Sequence, residues 1–177
     1  KILVDATGRN RAVLQKLNIQ STIHDELVAV SCHIPKIKHP KLTHEVYVES
    51  FKDGWGIVSA LNETENICTI YTHKGHEILS RLKEVSQWKT ALAETTYLKD
   101  FLVETEHIKF KGGNANSSVA NQTAGTNWLA LGDAAMSFDP LSSHGITNAL
   151  FTSAKAATTI EINADDKIIG CQILNIS

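Results

Sequence analysis

The feature that most constrains the fold is a run of strand-like segments in the middle of the chain, joined by short polar turns. The segments are ELVAVSCHI (26–34), THEVYVESF (43–51), WGIVSAL (55–61) and ICTIYTH (67–73), each rich in β-branched or aromatic residues. The pair Asp53-Gly54 is typical of a hairpin turn, because glycine readily adopts a positive φ. Since a parallel crossover needs about a dozen residues or more, we predict an antiparallel meander here.

The two ends of the chain share a different pattern, in which an apolar strand runs through a turn into a helix. KILVDATG (1–8) reads as a short buried strand, and RNRAVLQKLNI (9–19) has helical spacing. NWLALGD (127–133) and HGITNALFTSAKAATTIEI (144–162) repeat this order. We therefore predict one α/β lobe that is interrupted by an inserted antiparallel lobe.

Two helices and a short strand are predicted between these parts. The helices are GHEILSRLKEV (75–85) and SQWKTALAETTYLKDFL (86–102), the second with Ser86 as its N-cap. HIKF (107–110) is predicted to be a strand. KGGNANSS (111–118) is predicted to be a flexible loop because it is rich in glycine, asparagine and serine.

The predicted organisation has four parts. They are segment 1–20 of the first lobe, the inserted lobe 21–112, segment 113–163 that completes the first lobe, and a tail 164–177. The chain opens on an apolar strand without a methionine or a signal peptide, so we expect a fragment of a longer protein.

Composition and charge narrow the range of partners. Lysine and arginine together number 17 and aspartate and glutamate 19, so the net charge is −2. The most basic stretch, KIKHPK (36–41), is interpreted as a solvated loop. We therefore expect no nucleic-acid or membrane-surface partner. No apolar run reaches the roughly 20 residues that a transmembrane helix needs.

The cysteines and histidines indicate neither a disulfide scaffold nor a metal site. Cys32, Cys68 and Cys171 are odd in number and form no C-x-x-C pair. This is typical of a reducing compartment, so we expect a cytoplasmic protein. The closest approach to metal-ligand spacing is His73 with His76, and no second pair lies at zinc-finger spacing.

The densest cluster of special residues is GDAAMSFDPLSSHGITNAL (132–150), a strand-to-helix junction. Asp133 follows a strand, and open α/β sheets bind ligands where their strands end. Pro140 fixes the backbone, and Gly145 allows a ligand to approach the helix start, which attracts anions. The helix has three candidate N-caps: Asp139, Ser142 and Ser143. The junction predicts a nucleotide-cofactor site.

These residues resemble those of a known family of flavoproteins. TAGTNWLALGDAA (123–135) looks like the second FAD fingerprint of the glutathione-reductase-type fold, T-x-x-x-x-h-Y-A-h-G-D, with Leu129 in place of the aromatic residue. The stretch 132–150 resembles class A flavin monooxygenases and, more closely, their tryptophan-halogenase-like branch, which has the form D-P-L-S-S-x-G-I-x-N-A. VDATGR (4–9) and DGWGIVSAL (53–61) resemble the A-T-G strand and a substrate-lobe strand of such proteins.

The resemblance implies a mixed α/β (α+β) fold, part of a glutathione-reductase-type FAD-binding lobe interrupted by an antiparallel-sheet substrate lobe. It also implies that FAD is the cofactor. Asp133 would bind the ribityl or pyrophosphate part of FAD, and Pro140 through Gly145 would line the flavin ring. Ile146 would face the ring's N1/O2 edge, and Asn148 would brace the helix start or contact the ring. The full set of predicted cofactor-binding residues is Thr7, Gly8, Gly132, Asp133, Pro140, Ser142, Ser143, Gly145, Ile146 and Asn148.

Several residues keep alternative interpretations at this point. No catalytic residue is identified; the one candidate, His144, is a base, a flavin-edge contact or a bystander. Arg9 and Arg11 are expected on the solvated surface, with a pyrophosphate contact as the alternative. Tyr47 and Trp55 either line a substrate cavity or pack in the sheet.

The favoured function is an FAD-dependent oxidoreductase, a monooxygenase that uses reduced flavin and O2 on a small-molecule or aromatic substrate. Its reductant is expected to be NAD(P)H or a flavin reductase. The halogenase alternative is kept, although the halogenase motif W-x-W-x-I-P does not occur in this sequence. The phosphate-binding G-x-G-x-x-G does not occur either, so another alternative is a cofactor-free remnant that binds a partner or forms a homo-oligomer. An NAD-linked dehydrogenase is disfavoured because the G-x-G-x-x-G fingerprint does not occur in this sequence.

Overall fold

The computed structural model describes residues 1–38, 45–102 and 108–162. The predicted tail 164–177 lies outside the described residues, as do the first residues of the segments predicted to begin at Thr43 and His107. The described residues confirm a mixed α/β class with antiparallel sheets.

The elements are numbered in chain order. The strands are β1 (Leu3–Asp5), β2 (Ser21–Ile23), β3 (Leu27–Pro35), β4 (Val46–Phe51), β5 (Gly54–Ala60), β6 (Glu65–His73), β7 (Phe110–Asn114), β8 (Ser118–Ala120), β9 (Ala124–Gly125), β10 (Trp128–Ala130) and β11 (Met136–Ser137). The α-helices are α1 (Ala12–Lys16), α2 (Ile78–Arg81), α3 (Val85–Ala93) and α4 (Gly145–Ile162). Short 3-10 turns occupy Gly8–Asn10, Leu98–Phe101, Gly132–Ala134 and Pro140–Ser142.

The chain divides into two compact units. The first unit combines Lys1–Asp25 with the chain from Asn116 onward, and the second is Glu26–Ala115. Among the described residues, no helix has both the length and the apolar character needed to cross a bilayer.

The first unit contains two small sheets and the long helix α4. In one sheet β1 runs parallel to β10, with Leu3 opposite Trp128, and β9 pairs antiparallel with β10. The other sheet has the antiparallel order β11-β8-β2. The prediction of a buried first strand is wrong for Leu3 and Val4, which are 51% and 40% exposed. The physical reason is that, among the strands the structure describes, β1 lies at the edge of its sheet and pairs only with β10.

The second unit is built on one five-stranded antiparallel sheet in the order β4-β5-β6-β3-β7. The predicted meander is therefore wrong for β3, which pairs with β6 and β7 rather than with β4. The prediction of a flexible loop at 111–118 is also wrong in part, because Gly112 and Gly113 pair with β3. One face of the sheet is covered by a core that includes Val58, Ile70, Leu82, Trp88, Leu92 and Leu98.

Two local predictions in this unit shift by a residue or two. The β4–β5 hairpin pairs Phe51 with Gly54, so Lys52 and Asp53 form the loop instead of Asp53-Gly54. Gly54 has φ +154°, and a Cβ there would lie 2.0 Å from the carbonyl oxygen of Tyr71, so the strand needs glycine at this position.

Helix α3 begins at Val85, so Ser86 lies inside it. Glu84 occupies the N-cap position, without a side-chain cap hydrogen bond. The prediction of Ser86 as N-cap is therefore wrong. Glu84 has extended backbone angles, and its carbonyl already accepts the first helical hydrogen bond, from Trp88, so the helix starts one residue earlier.

The two aromatic residues left open by the sequence have different surroundings. Tyr47 meets Phe101 edge to face, with ring centroids 5.1 Å apart. Trp55 stacks on its cross-strand neighbour Tyr71, with centroids 3.9 Å apart and ring planes inclined by 15°. Both rings therefore pack within the second unit.

Candidate cofactor site

A cavity of about 460 Å³ lies in the first unit where β10 ends and α4 begins. It is lined by the turn after β1, by the Gly132–Ala134 turn and by the first three turns of α4. Five of the predicted cofactor residues line it, namely Gly8, Gly132, Asp133, Gly145 and Ile146. The volume is within the range typical of small-molecule sites.

The glycines at this cavity differ in what they require. Gly132 has φ +52°, and a Cβ there would approach the Cβ of Ala149 to 3.3 Å, so its backbone conformation and its packing both favour glycine. A Cβ at Gly8 or Gly145 would meet no protein atom within 4 Å. Gly145 is helical, so neither packing nor φ demands glycine there. Its bare backbone opens onto the cavity.

The Gly132 turn is tied to α4 by Thr152, which the sequence analysis did not select. The Gly132 N–H donates to Thr152 Oγ1 at 2.9 Å, and this hydroxyl donates to the Asn148 carbonyl at 2.7 Å. Thr152 is 1% exposed, so both bonds are protected from water. The available signal was its spacing, one helical turn after Asn148 on the same face.

Asp133 faces an arginine across the cavity rim. Asp133 Oδ2 lies 3.6 Å from Arg9 Nε, and both side chains are about 30% exposed. Arg9 Nη2 also donates to the Phe138 carbonyl at 2.6 Å, and Nη1 donates to the Asn116 carbonyl. Arg9 therefore connects three parts of the first unit: the turn at Asp133, the residue after β11 and the residue Asn116.

Arg11 has a buried structural role, so the prediction that it lies on the solvated surface is wrong. It is 8% exposed, and its guanidinium donates to the carbonyls of Ala134 at 3.0 Å and Ser118 at 3.1 Å. Burial lowers the pKa of Arg11, the nearby Arg9 charge lowers it further, and the Asp133 charge acts in the opposite direction. The guanidinium can be buried because these two carbonyl acceptors replace the water that would otherwise surround it.

Thr7 is turned toward Asp5 instead of the cavity. The buried Asp5 carboxylate accepts hydrogen bonds from Thr7 N, Thr7 Oγ1, Val13 N and Leu14 N, at 2.6–3.0 Å. Thr7 Oγ1 in turn accepts from Ala12 N at 2.7 Å. Burial alone would raise the pKa of Asp5, but these hydrogen bonds outweigh it and the pKa is lowered. Asp5 thus fixes the β1 turn to the start of α1.

The loop from Pro140 to Ser143 makes hydrogen bonds mainly to itself. Asp139 Oδ1 accepts from Leu141 N at 2.7 Å, so Asp139 caps the short turn and not α4. Ser142 Oγ donates to the Asp139 carbonyl at 2.7 Å, and Ser143 adopts φ +55°. Pro140, Ser142 and Ser143 do not contribute to the lining of the 460 Å³ cavity.

His144 and Asn148 flank the start of α4. His144 Nδ1 lies 2.6 Å from the Ser142 carbonyl, to which it donates, and its ring is 5.7 Å from that of Phe138. The Asn148 side chain is 8% exposed and donates from Nδ2 to the Met136 carbonyl at 2.9 Å. Asn148 therefore braces the helix start against β11. Within residues 1–38, 45–102 and 108–162, no group of three or more metal-ligating side chains could hold a metal ion.

Comparison with known proteins finds similarity to FAD-dependent and flavin-dependent proteins. No protein-family model matches the chain. The chain is 30% identical over 174 residues to the FAD-dependent oxidoreductase LodB of Marinomonas mediterranea, a match that covers 96% of this chain and 46% of that protein. The chain thus spans about half the length of the curated relative that it matches.

The fold is similar to that of solved flavin-dependent enzymes. The flavin-dependent brominase Bmp2 superposes with a TM-score of 0.80 at 17% identity, over 97% of this chain and 45% of the brominase. The peptidyl tryptophan dihydroxylase QhpG superposes with a TM-score of 0.64 at 19% identity, over 82% of this chain and 35% of that enzyme. At such identities the likeness concerns the fold.

Proposed function

Since this chain is similar in sequence to the FAD-dependent oxidoreductase LodB and in fold to flavin-dependent enzymes, we propose that it belongs to the halogenase-like family of FAD-dependent proteins and is part of an FAD-dependent monooxygenase that hydroxylates an organic substrate. In this proposal the first unit contributes the second half of the FAD lobe, and the second unit is the substrate lobe. The family cofactor agrees with the expectation from the sequence, because the matched proteins are named as FAD-dependent or flavin-dependent.

The observation that carries the proposal is the convergence of Gly8, Asp133 and Gly145 on one cavity. These residues come from three separate segments, and the bare backbone at Gly8 and Gly145 leaves the space that a cofactor approaching the main chain needs. Helix α4 has 18 residues, so its N-terminus has a substantial partial positive charge. This donor set fits a ligand with hydroxyl groups and an electron-rich or anionic edge.

Each residue has a defined task in the proposed site. Asp133 accepts hydrogen bonds from ribityl hydroxyls, and Arg9 keeps its carboxylate in place through the 3.6 Å contact. The first N–H groups of α4, at Gly145 and Ile146, donate to the edge of the flavin ring and stabilise negative charge there. When bound and reduced, FAD supplies the reaction with O2 that oxidises the substrate. His144 has no assigned proton transfer, because its Nδ1 is engaged by Ser142.

Halogenation is the second candidate function, and the fold similarity to the brominase Bmp2 favours it. Hydroxylation is supported by the similarity to QhpG, whose name describes a dihydroxylase. The sequence lacks W-x-W-x-I-P, which is the reason for ranking hydroxylation first. A small-molecule substrate and an external source of electrons, either NAD(P)H or a flavin reductase, belong to both proposals.

FAD titration of the purified protein tests the proposed cofactor site. We expect saturable quenching of flavin fluorescence, and Asp133→Ala should weaken binding by about tenfold or more, since a carboxylate hydrogen bond to a ligand contributes about 1.5–3 kcal/mol. Glu63→Ala, which removes an exposed carboxylate of the second unit, is the matched control. Absence of flavin binding would contradict the proposal and favour the cofactor-free remnant. Flavin binding with equal affinity in the Asp133 and Glu63 variants would contradict the proposed site.

Product analysis separates the two reactions. The flavin-loaded protein would be supplied with a flavin reductase, NADH, O2 and bromide, together with indole- and phenol-type compounds. Products that gain one oxygen atom support hydroxylation. Products that gain bromine support the halogenase alternative and contradict our first choice.

A further inference from the structure

The second unit contains a larger cavity that the flavin chemistry does not account for. It has a volume of about 750 Å³ and lies at the end of the sheet where β3 finishes and β6 begins. Its lining combines apolar side chains, including Pro35 and Ile67, with two cations, Lys109 and Lys111. Such a mixture of apolar surface and a few polar groups is typical of small-molecule sites.

The register of the sheet explains why these side chains share one face. His33 lies opposite Ile67, and Ser31 lies opposite both Thr69 and Lys111 on its two neighbouring strands. Directly opposed residues in a sheet project to the same side. Ser31 Oγ and Thr69 Oγ1 are 2.8 Å apart, so the hydroxyls hydrogen-bond to each other. The face therefore combines an apolar patch at Ile67 with the cation of Lys111.

Among the described lining residues of this cavity, lysines outnumber carboxylates by two to one. Glu65 is the one carboxylate among the lining residues that the structure describes. Its Oε1 is 4.0 Å from His33 Nδ1, and its Oε2 accepts from Asn62 Nδ2 at 3.2 Å. Within the part of the chain that the structure describes, Lys109 and Lys111 have no carboxylate at ion-pair distance.

The most basic stretch of the sequence begins at the same cavity. The backbone N–H of Lys36 donates to the Thr64 carbonyl at 2.7 Å, and Thr64 is a lining residue. Lys36 and Lys38 therefore add positive charge near this end of the sheet, although the whole chain has a net charge of −2. An excess of positive charge in one cavity of an acidic chain favours a negatively charged ligand.

We propose that this cavity binds a small organic molecule that has an acidic group and an apolar body. The acidic group lies between the ammonium groups of Lys109 and Lys111, and the apolar body packs on Ile67 and Pro35. The inference rests on the second unit alone and does not depend on FAD, so it and the proposed monooxygenase function can fail separately.

The probes for the test are two fluorophores of similar shape. One is 8-anilinonaphthalene-1-sulfonate, which has an acidic group, and the other is the uncharged N-phenyl-1-naphthylamine. In the full chain, the double variant Lys109→Gln/Lys111→Gln should bind the sulfonate about five- to tenfold more weakly, as expected for the loss of two exposed charge contacts. Its affinity for the uncharged probe should stay within twofold of the original.

The controls locate the effect. Lys52→Gln/Lys83→Gln removes two exposed lysines of the same unit that do not line the cavity, and it should leave both affinities unchanged. Ile67→Ser should weaken both probes. Circular dichroism checks that each variant is folded. As a second measurement on the unmodified protein, sodium chloride should weaken sulfonate binding and spare the uncharged probe.

The proposal is overturned if the Lys109/Lys111 variant binds the sulfonate as tightly as the Lys52/Lys83 control. It is also overturned if both lysine double variants lose the sulfonate equally, or if salt weakens the two probes to the same extent. A selective loss in the Lys109/Lys111 variant supports it.

Discussion

The two units of this protein hold their shape by different means. The second unit has long strands, with β3 and β6 pairing over nine residues and an apolar core on one face. The first unit has strands of two or three residues. There, single polar side chains such as Asp5, Arg11 and Thr152 connect the backbone segments. The candidate cofactor site therefore depends on a few hydrogen bonds, whereas the sheet of the second unit depends on burial.

The largest expected effect is in the second unit. Trp88→Ala should reduce the free energy of unfolding by about 4 kcal/mol, because it leaves a large cavity under the sheet. Trp88 is 1% exposed and lies 6.1 Å from the Phe110 ring. Urea unfolding measures the loss, and Trp88→Phe, which keeps most of the volume, should retain well over half of the stability. Equal losses in the two variants would show that burial is not what stabilises this unit.

The corresponding change in the first unit is Asp5→Ala. It removes the acceptor of four hydrogen bonds and leaves the N–H groups of Val13 and Leu14 without a partner, so we expect a loss of about 3 kcal/mol. Urea unfolding and amide exchange of 12–16 report it. Asp5→Asn keeps one acceptor oxygen and should lose less. If Asp5→Ala lost no more free energy of unfolding than the exposed Glu63→Ala, the first unit would not depend on polar side chains for its stability.

A smaller effect is expected from Thr152→Val, which has nearly the same shape but no hydroxyl. The buried N–H of Gly132 loses its acceptor, at a cost of about 1–2 kcal/mol. The same variant should weaken FAD binding more than its stability loss explains, because Gly132 lines the cavity. Thermal unfolding measures the stability and FAD titration measures the affinity. Thr152→Ser, which keeps the hydroxyl, should restore both the stability and the affinity. A Thr152→Ser variant no better than Thr152→Val would contradict the role of the hydroxyl.

The smallest effect concerns a polar contact in the second unit. Glu49 accepts backbone hydrogen bonds from Thr96, Tyr97 (2.8 Å) and Leu98 (3.1 Å). Burial would raise the pKa of Glu49, but these bonds outweigh it and the pKa is lowered. Its stabilisation is therefore present above the unfolded-state pKa and is lost as the pH falls through the lower folded-state pKa.

The test of this contact is Glu49→Gln, which should cost about 1 kcal/mol or less at pH 7. The melting temperature of the original protein should converge on that of the variant as the pH is lowered toward 3. A difference that stays constant with pH would mean that the carboxylate charge has no part in the contact.

The same contrast explains what the sequence could predict. Strand β6 and helix α4 begin within two residues of their predicted starts. Each is a long segment whose regular apolar pattern is set by the local sequence. The pairing of β3 with β6 and β7 was not predictable, since no local pattern states which distant strand is the neighbour. The ladder with β3 also makes Gly112 and Gly113 a strand, against their low strand propensity.

For the candidate site, the sequence indicated the strand-to-helix junction at 132–150 but not the side chains that hold it in place. Gly8, Asp133 and Gly145 line one cavity, and that they bind a cofactor stays a prediction. The roles of Arg9 and Arg11 could not be predicted, because their acceptors are backbone carbonyls more than 100 residues away, which no motif records. That the serines of the loop line the ring stays a prediction. The hydrogen bond of Ser142 to the Asp139 carbonyl in its own turn was not predicted.

The guanidinium contacts of Arg9 and Arg11 have a consequence for how the protein is made. Their partners at Asn116, Ser118, Ala134 and Phe138 follow them by 107 to 129 residues, with the whole second unit in between. During translation, residues 1–25 therefore lack these contacts until the acceptor carbonyls have left the ribosome. Contacts of such sequence separation form slowly. The candidate cavity, which the turn after β1 and the start of α4 both line, therefore forms only after the second unit has been synthesised.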